Sequence, residues 1–216
     1  MARLKIGVVI SGRGSNLQAL IDACADPKFP AEIVSVISNV PDAAGLARAQ
    51  AAGIPCHVVD SRDFKDRAAF DAALDAALQN SGVKLVCLAG FMRLLSEGFV
   101  SKWRDWVINI HPSLIPAFTG LNTHERVIKA GARFTGCTVH FVRPEMDNGP
   151  IIIQAAVAVR PDDTPESLAE RVLEAEHRIY PEAVRLIALN RVRVRGDVVL
   201  VGGAKAPEGI LINPSA

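Results

Sequence analysis

The sequence predicts an α/β fold: a doubly wound, mostly parallel sheet with a mixed or antiparallel C-terminal extension. Two observations carry that expectation. Short β-branched runs alternate with longer, Ala-rich amphipathic runs through the first half of the 216-residue chain. After Asn122 the order changes, and two strand-like runs follow one another without a full helix between them.

Lys5–Ile10 reads as the first strand, and Ser15–Ala25 as a helix with Leu17, Leu20 and Ile21 at helical spacing. Glu32–Ser38 is a second strand. Ala43–Ala52 is a helix stopped by Gly53, a common C-terminal signal. Cys56–Val59 is a short third strand, followed by a helix over Phe64–Gln79 with Asp63 or Ser61 as its cap. Lys84–Ala89 and Val107–Ile110 are buried strands, and Thr123–Ala130 is a helix. Cys137–Val142 and Ile151–Val159 form the extension of the sheet. Thr164-Pro165-Glu166 starts a long helix, with a hydroxyl cap and proline in the first turn. It runs to Ile179, and Pro181 is expected to kink it or begin a new one. Val192–Arg195 and Val198–Val201 suggest a hairpin turning at Gly196-Asp197, and the tail from Lys205 is expected to be poorly ordered. With no internal repeat and no low-complexity linker, residues 1–216 read as one domain. Residues 1 to about 105 would be the phosphate-binding part and about 106 to 200 the catalytic part.

Ligands of doubly wound sheets bind beyond the carboxyl ends of the strands. Three polar loops fall there: Ser11–Asn16, Gly90–Leu95 and Asn109–Ser113. The first joins a strand to a helix and carries two glycines, which suits an anion held by backbone N–H groups. It is not a dinucleotide fingerprint, because Leu17 stands where the third glycine belongs. Ser15 and Asn16 suit a monophosphate or ribose phosphate. Gly90-Phe91-Met92-Arg93-Leu94-Leu95 could line a slot for a flat heterocycle or simply pack beneath the next helix. Arg67 could pair with an anionic ligand or be solvated, and Glu176 could hold an amine or be a surface charge.

The most informative loop is Asn109-Ile110-His111-Pro112-Ser113-Leu114-Ile115-Pro116, together with Met146-Asp147-Asn148-Gly149-Pro150. Side chains two apart on a strand point the same way, and Pro112 biases His111 toward extended backbone. Asn109 and His111 would therefore share a face. An amide, an imidazole and a carboxylate suit attack of a neutral amine on an acyl carbon: two groups donate to the developing oxyanion, and the carboxylate favours the imidazolium and carries protons. Taken singly, Asn109 also suits a turn cap and His111 a loop histidine. His57, His124 and His140 show no partner pattern, and Ser113 is not in a G-x-S-x-G elbow.

Bulk composition narrows the classes. Half the residues are apolar and 22% are charged, as in a soluble protein. A net charge of +1 argues against a nucleic-acid surface. Cys24, Cys56, Cys87 and Cys137 form no CxxC and no zinc spacing, with Cys87 expected as a buried thiol. No run reaches the roughly 20 apolar residues of a membrane span, and Met1–Lys5 carries no secretory pattern. A cytoplasmic chain, monomeric or weakly dimeric, is expected.

The sequence resembles the folate-dependent phosphoribosylglycinamide formyltransferase family. The resemblance lies in Ile10–Ala19, Leu88–Leu95, Asn109–Pro116, Val139–Val142 with Met146–Ile151, and Glu176–Pro181, in the family's order and over nearly the whole chain. It implies a Rossmann-like formyltransferase fold and transfer of the formyl group of 10-formyltetrahydrofolate to glycinamide ribonucleotide, without a metal. It also implies that Asn109, His111 and Asp147 are catalytic, and that Gly14, Ser15 and Asn16 hold the ribotide phosphate while Glu176 orients its amine. Arg67, Met92, Arg93, Leu94, Leu95, Asn109, Val142, Arg143 and Asp147 would hold the folate. Arg13, Asn148 and the stretch Ala117-Phe118-Thr119-Gly120, which lacks a basic residue, depart from the family's usual pattern. The competing expectations are a hydrolase of the same formyl donor, a formyltransferase acting on methionyl-tRNA or a sugar nucleotide, and a non-catalytic phosphate-binding module. The known hydrolases carry an extra N-terminal domain, and the tRNA and sugar enzymes a larger C-terminal one.

Overall fold

The computed structural model describes residues 2–214; Met1 and the last two residues of the tail lie outside the described residues. The first half is built from β1 (Leu4–Ile10), α1 (Ser15–Ala25), β2 (Ala31–Ser38), α2 (Ala44–Ala51), β3 (Cys56–Val58), α3 (Arg67–Asn80), β4 (Leu85–Leu88) and α4 (Glu97–Lys102). The second half contains β5 (Val107–His111), α5 (Thr123–Lys129), β6 (Phe134–Phe141), β7 (Ile151–Ala158), α6 (Pro165–Ala188), β8 (Val192–Arg195) and β9 (Val198–Val201).

Seven strands form one sheet in the order β3-β2-β1-β4-β5-β6-β7, and β8 and β9 form a separate hairpin. β1 to β5 pair in parallel, and β6 and β7 add antiparallel strands. The expected parallel sheet with an antiparallel extension is what forms. Strand order reverses between β1 and β4, and that switch opens the crevice in which such sheets bind ligands.

Both faces of the sheet are covered. Ile6, Val8 and Ile10 of β1 pack with Leu17 and Leu20 of α1 and with Val172, Tyr180 and Val184 of α6. Val9 turns to the other side, toward Phe70, Leu74 and Leu78 of α3 and Phe99 of α4. The strand period of two thus splits one apolar run between two helical layers. Cys87 is fully buried, and burial pushes its thiol well above the ordinary range.

Three elements differ from the sequence expectation. α3 starts at Arg67, not Phe64, because Asp66 caps it by accepting from Ala69 N at 2.8 Å. Asp60 caps a separate 3-10 turn, Ser61–Asp63. Phe64 is held outside the helix in extended backbone, edge-on to the Phe70 ring. α4 was not expected: it is only six residues, too short for a periodic signal, and is started by Ser96 accepting from Phe99 N. α6 runs on through Pro181 as one helix to Ala188. Proline there removes a backbone donor, yet Ile179, Tyr180, Ala183 and Val184 on both sides of it are buried in the same core. From Lys205 the tail carries no helix or strand, but Asn213 Nδ2 donates to the carbonyls of Arg133 and Val159.

One contact fixes α6 over the functional edge. The Tyr180 hydroxyl, fully buried, donates to Leu88 O at 2.8 Å and lies 3.4 Å from Ile108 O, joining the helix to the last residue of β4 and to the first half of β5. Tyr180→Phe is expected to lower stability by about 1 kcal/mol, the net worth of such a bond. Urea unfolding measures this, and an unchanged midpoint would refute the bond's contribution.

Candidate active site

The loop after β1 is shaped by a close backbone approach. Gly14 is the N-cap of α1 at φ 71°, ψ 32°, and a Cβ on it would stand 2.6 Å from the Gly45 Cα of α2. Only glycine satisfies both the left-handed conformation and that contact. Gly45 N donates to Gly12 O at 3.0 Å, fixing the loop against α2. No side chain caps α1, so the N–H groups of Ser15, Asn16 and Leu17 lack intrahelical acceptors and face an incoming anion with the positive end of the helix dipole.

Asn16 points inward. Its Nδ2 donates to Glu176 Oε2 at 2.6 Å, and its Oδ1 is buried with no donor among the described residues. Glu176 is buried, and burial raises its carboxyl above the usual range while the Asn16 bond opposes that shift. The loops after β1, β2 and β4 are tied by Ser11, whose Oγ donates to Asn39 Oδ1 at 2.6 Å and accepts from Met92 N at 2.9 Å.

The second half of the site comes from β5 and β6. Strand β5 extends through His111, and Ile108 and Ile110 enter the core beside α6, so Asn109 and His111 share the opposite face. The antiparallel register sets Asn109 opposite His140 and His111 opposite Thr138. Thr138 Oγ1 donates to Ser113 O at 2.7 Å and accepts from Ile115 N, which fixes the chain just beyond His111. The loop after β6 returns closely: a Cβ on Gly149 would fall 1.6 Å from Phe141 O.

That return places Asp147, itself left-handed at φ 52°, against the histidines. Asp147 Oδ2 is 3.4 Å from His111 Nδ1, and Oδ1 is 4.0 Å from His140 Nε2. The His111 and Asp147 side chains are only 7% and 9% exposed. Gly120 N donates to Asp147 Oδ2 at 2.8 Å, and His111 Nε2 lies 3.1 Å from Phe118 O. Both ring nitrogens of His111 thus face oxygen: Nε2 is within hydrogen-bond distance of Phe118 O, and Nδ1 stands at the longer 3.4 Å from Asp147 Oδ2. His140 differs. Burial pushes it below the usual histidine range, opposed by its bond to Phe141 O and by the charge of Asp147. With Nδ1–H on Phe141 O, the neutral ring presents Nε2 as acceptor to Asn109 Nδ2 at 3.4 Å.

Residues 4–184 match the family described as formyl transferase. The chain belongs to that family. The phosphoribosylglycinamide formyltransferase of Haemophilus influenzae is 42% identical over 204 residues, covering 94% of this chain and 96% of that protein. The trifunctional purine biosynthetic protein adenosine-3 of Bos taurus is 53% identical over 192 residues, but the match spans only 19% of its length. The crystal structure of glycinamide ribonucleotide transformylase 1 from Symbiobacterium toebii superposes with a TM-score of 0.91 at 48% identity, covering 93% of this chain and 94% of that one. A formyltetrahydrofolate deformylase from Pseudomonas syringae superposes at 0.86 with 25% identity, over 93% of this chain and 66% of that one.

Against the family expectation, Asn109, His111 and Asp147 converge, and Asn16 meets Glu176. Met92 and Leu94 are exposed at the end of β4, where a flat ligand would cover them. Arg143 is buried in an ion pair with Asp105 at 2.6 Å. Leu95 is buried in the core beside α3 and α4. Arg93 lies over the Phe70 ring at 5.1 Å, and Arg67 is exposed in the first turn of α3. Val142 N donates to Val107 O, which leaves the Val142 backbone fixed beside β5. Sequence reasoning missed His140. Its signal was the Thr138-x-His140 alternation, which becomes legible only once β6 is set antiparallel to β5.

Because the folded value of His140 lies below the unfolded one, the unfolded chain takes up its proton first as pH falls. The stability from the neutral ring is present above the ordinary value of 6.5 and is lost as pH falls through the folded value. Between about pH 7 and pH 5 the melting temperature is expected to drop more steeply for the native chain than for His140→Gln. Parallel slopes in a calorimetric pH series would contradict this.

Proposed function

We propose that this chain transfers the formyl group of 10-formyltetrahydrofolate to the amine of glycinamide ribonucleotide, giving formylglycinamide ribonucleotide and tetrahydrofolate in de novo purine biosynthesis. The observation that carries this reading is the convergence of Asn109, His111 and Asp147 at the carboxyl end of β5, on the sheet edge that also bears the glycine loop after β1, with His111 and Asp147 3.4 Å apart and nearly closed to solvent.

In this reading the free N–H groups at the start of α1 receive the ribotide phosphate. Glu176 and the unpaired Asn16 Oδ1 accept from the ribotide's amine end, which relieves the cost of burying them unmatched. The folate lies over Met92 and Leu94 and along the Val142 backbone, with Arg67 and Arg93 at the exposed end for its carboxylates. As the amine nitrogen bonds to the formyl carbon, negative charge gathers on the formyl oxygen. The Asn109 amide donates to it, and so does His111 from Nδ1, whose 3.4 Å separation from Asp147 leaves that N–H free to turn to the formyl oxygen. One proton must leave the amine and one must reach the departing folate nitrogen; Asp147, through water, is the acceptor and relay. His140 holds the Asn109 amide in orientation from behind.

The deciding experiment follows the formyl donor spectrally with and without the ribotide. Turnover that needs the ribotide is expected; turnover without it would assign hydrolysis, and binding of both ligands without turnover would overturn the transferase. His111→Ala is expected to lower kcat by about 100-fold or more, the cost of one oxyanion donor, with ribotide Kd changed less than about twofold. Native-level turnover would sink the mechanism. Asp147→Asn removes the proton acceptor at nearly constant side-chain size, so kcat is expected to fall by about 100-fold or more. A native kcat would remove Asp147 from that role.

A further inference from the structure

The segment Phe118–Asn122 touches both halves of the catalytic pair. The Phe118 carbonyl lies 3.1 Å from His111 Nε2, and Gly120 N donates at 2.8 Å to Asp147 Oδ2, the same oxygen that faces His111 Nδ1. The relative placement of ring and carboxylate is therefore set by five residues of irregular backbone. That backbone is not one the chain adopts unaided. Phe118 and Asn122 both lie at φ 53° and Gly120 at φ 78°, and the left-handed region is unfavourable for residues with a Cβ. Backbone pairing holds only the edges of the segment: Ala117 N bonds Leu114 O before it, and Arg126 N bonds Asn122 O at its end.

Besides His111 and Asp147, Arg126 grips the middle. Arg126, in the last turn of α5, donates from Nη1 to the carbonyls of Thr119 and Leu121, and its Cζ stands 5.8 Å from the centre of the Phe118 ring. One guanidinium nitrogen donates to both carbonyls while the flat group lies over the aromatic face; an ammonium has the donors but not the flat face. Arg126 is exposed, so packing in the core does not account for it.

We propose that Arg126 is a positioning residue for formyl transfer: it holds the Phe118–Asn122 segment in the conformation that keeps His111 and Asp147 in register. This rests on the transferase reading above. Arg126 does not touch the reacting atoms. It acts through the Phe118 carbonyl and the Gly120 amide.

The test compares Arg126→Met and Arg126→Lys with the native chain in two measurements. Steady-state formyl transfer is expected to show kcat about tenfold lower in Arg126→Met with ribotide KM within about twofold, as a small misplacement of catalytic groups would give. Arg126→Lys is expected to recover part of the loss. Proton NMR of the His111 ring N–H is expected to show faster solvent exchange in Arg126→Met, because its carbonyl acceptor is no longer held. Native kcat together with native exchange in Arg126→Met would overturn the proposal, as would a loss confined to ribotide KM. If Arg126→Met melts well below the native chain, Arg126→Lys decides: a reduced kcat at unchanged ribotide KM supports the role, and a native kcat overturns it. A native chain without ribotide-dependent turnover would defeat the transferase reading instead, and the exchange comparison would still decide whether Arg126 positions His111.

Discussion

The antiparallel pairing of β6 with β5 is the constraint on which the rest of the site depends. Its register sets His140 against Asn109 and Thr138 against His111. From that pairing follow the orientation of the Asn109 amide, the fixing of Ser113 and Ile115 through Thr138, and the point at which the chain leaves β6 to bring Asp147 back. A one-residue slip would turn His140 to the opposite face of the sheet. The parallel half of the sheet forms the crevice typical of such folds; the antiparallel strand sets the polar side chains at its edge.

Helix α6 joins the two halves. Glu176 and Tyr180 are four residues apart and so lie on one helix face. Glu176 reaches the glycine loop through Asn16, and Tyr180 bonds Leu88 at the end of β4 and approaches Ile108 in β5. The same helix thus fixes the distance between the loop suited to an anion and the strand bearing Asn109 and His111. Continuity through Pro181 follows from this: the buried residues on either side belong to one core, and breaking the helix would give up more apolar contact than one backbone bond is worth.

Electrostatics separates three buried polar groups that look alike by composition. His140, bonded to a carbonyl and starved of solvent, is held neutral and serves as an acceptor. His111, with oxygen at both ring nitrogens, is arranged to donate. Glu176 is held with a single bonded amide and a raised carboxyl, an environment that a ligand's donor would complete. Burial alone would treat the two histidines identically; the difference lies in what the neighbouring strand and loop bring to each nitrogen.

The sequence by itself determined the order of the strands and most helices, the change of pattern after Asn122, the glycine turn at Gly14 and the Asn109–His111 spacing. These are local: apolar periodicity, caps, turn residues and the alternation of a strand all act within a few residues. It did not determine where α3 begins, since Asp60, Asp63 and Asp66 are equivalent as caps until Phe64 is committed to the Phe70 ring. Nor did it show that Arg143 pairs with Asp105, or that Leu95 lies in the core and Leu94 outside it. His140 and Arg126 carried no local signal, because their roles are defined by groups 31 residues away in one case and by a neighbouring segment's irregular backbone in the other. Only the tertiary structure decides such matters, because hydrogen bonds and ion pairs depend on distances of a few ångströms that sequence spacing does not set.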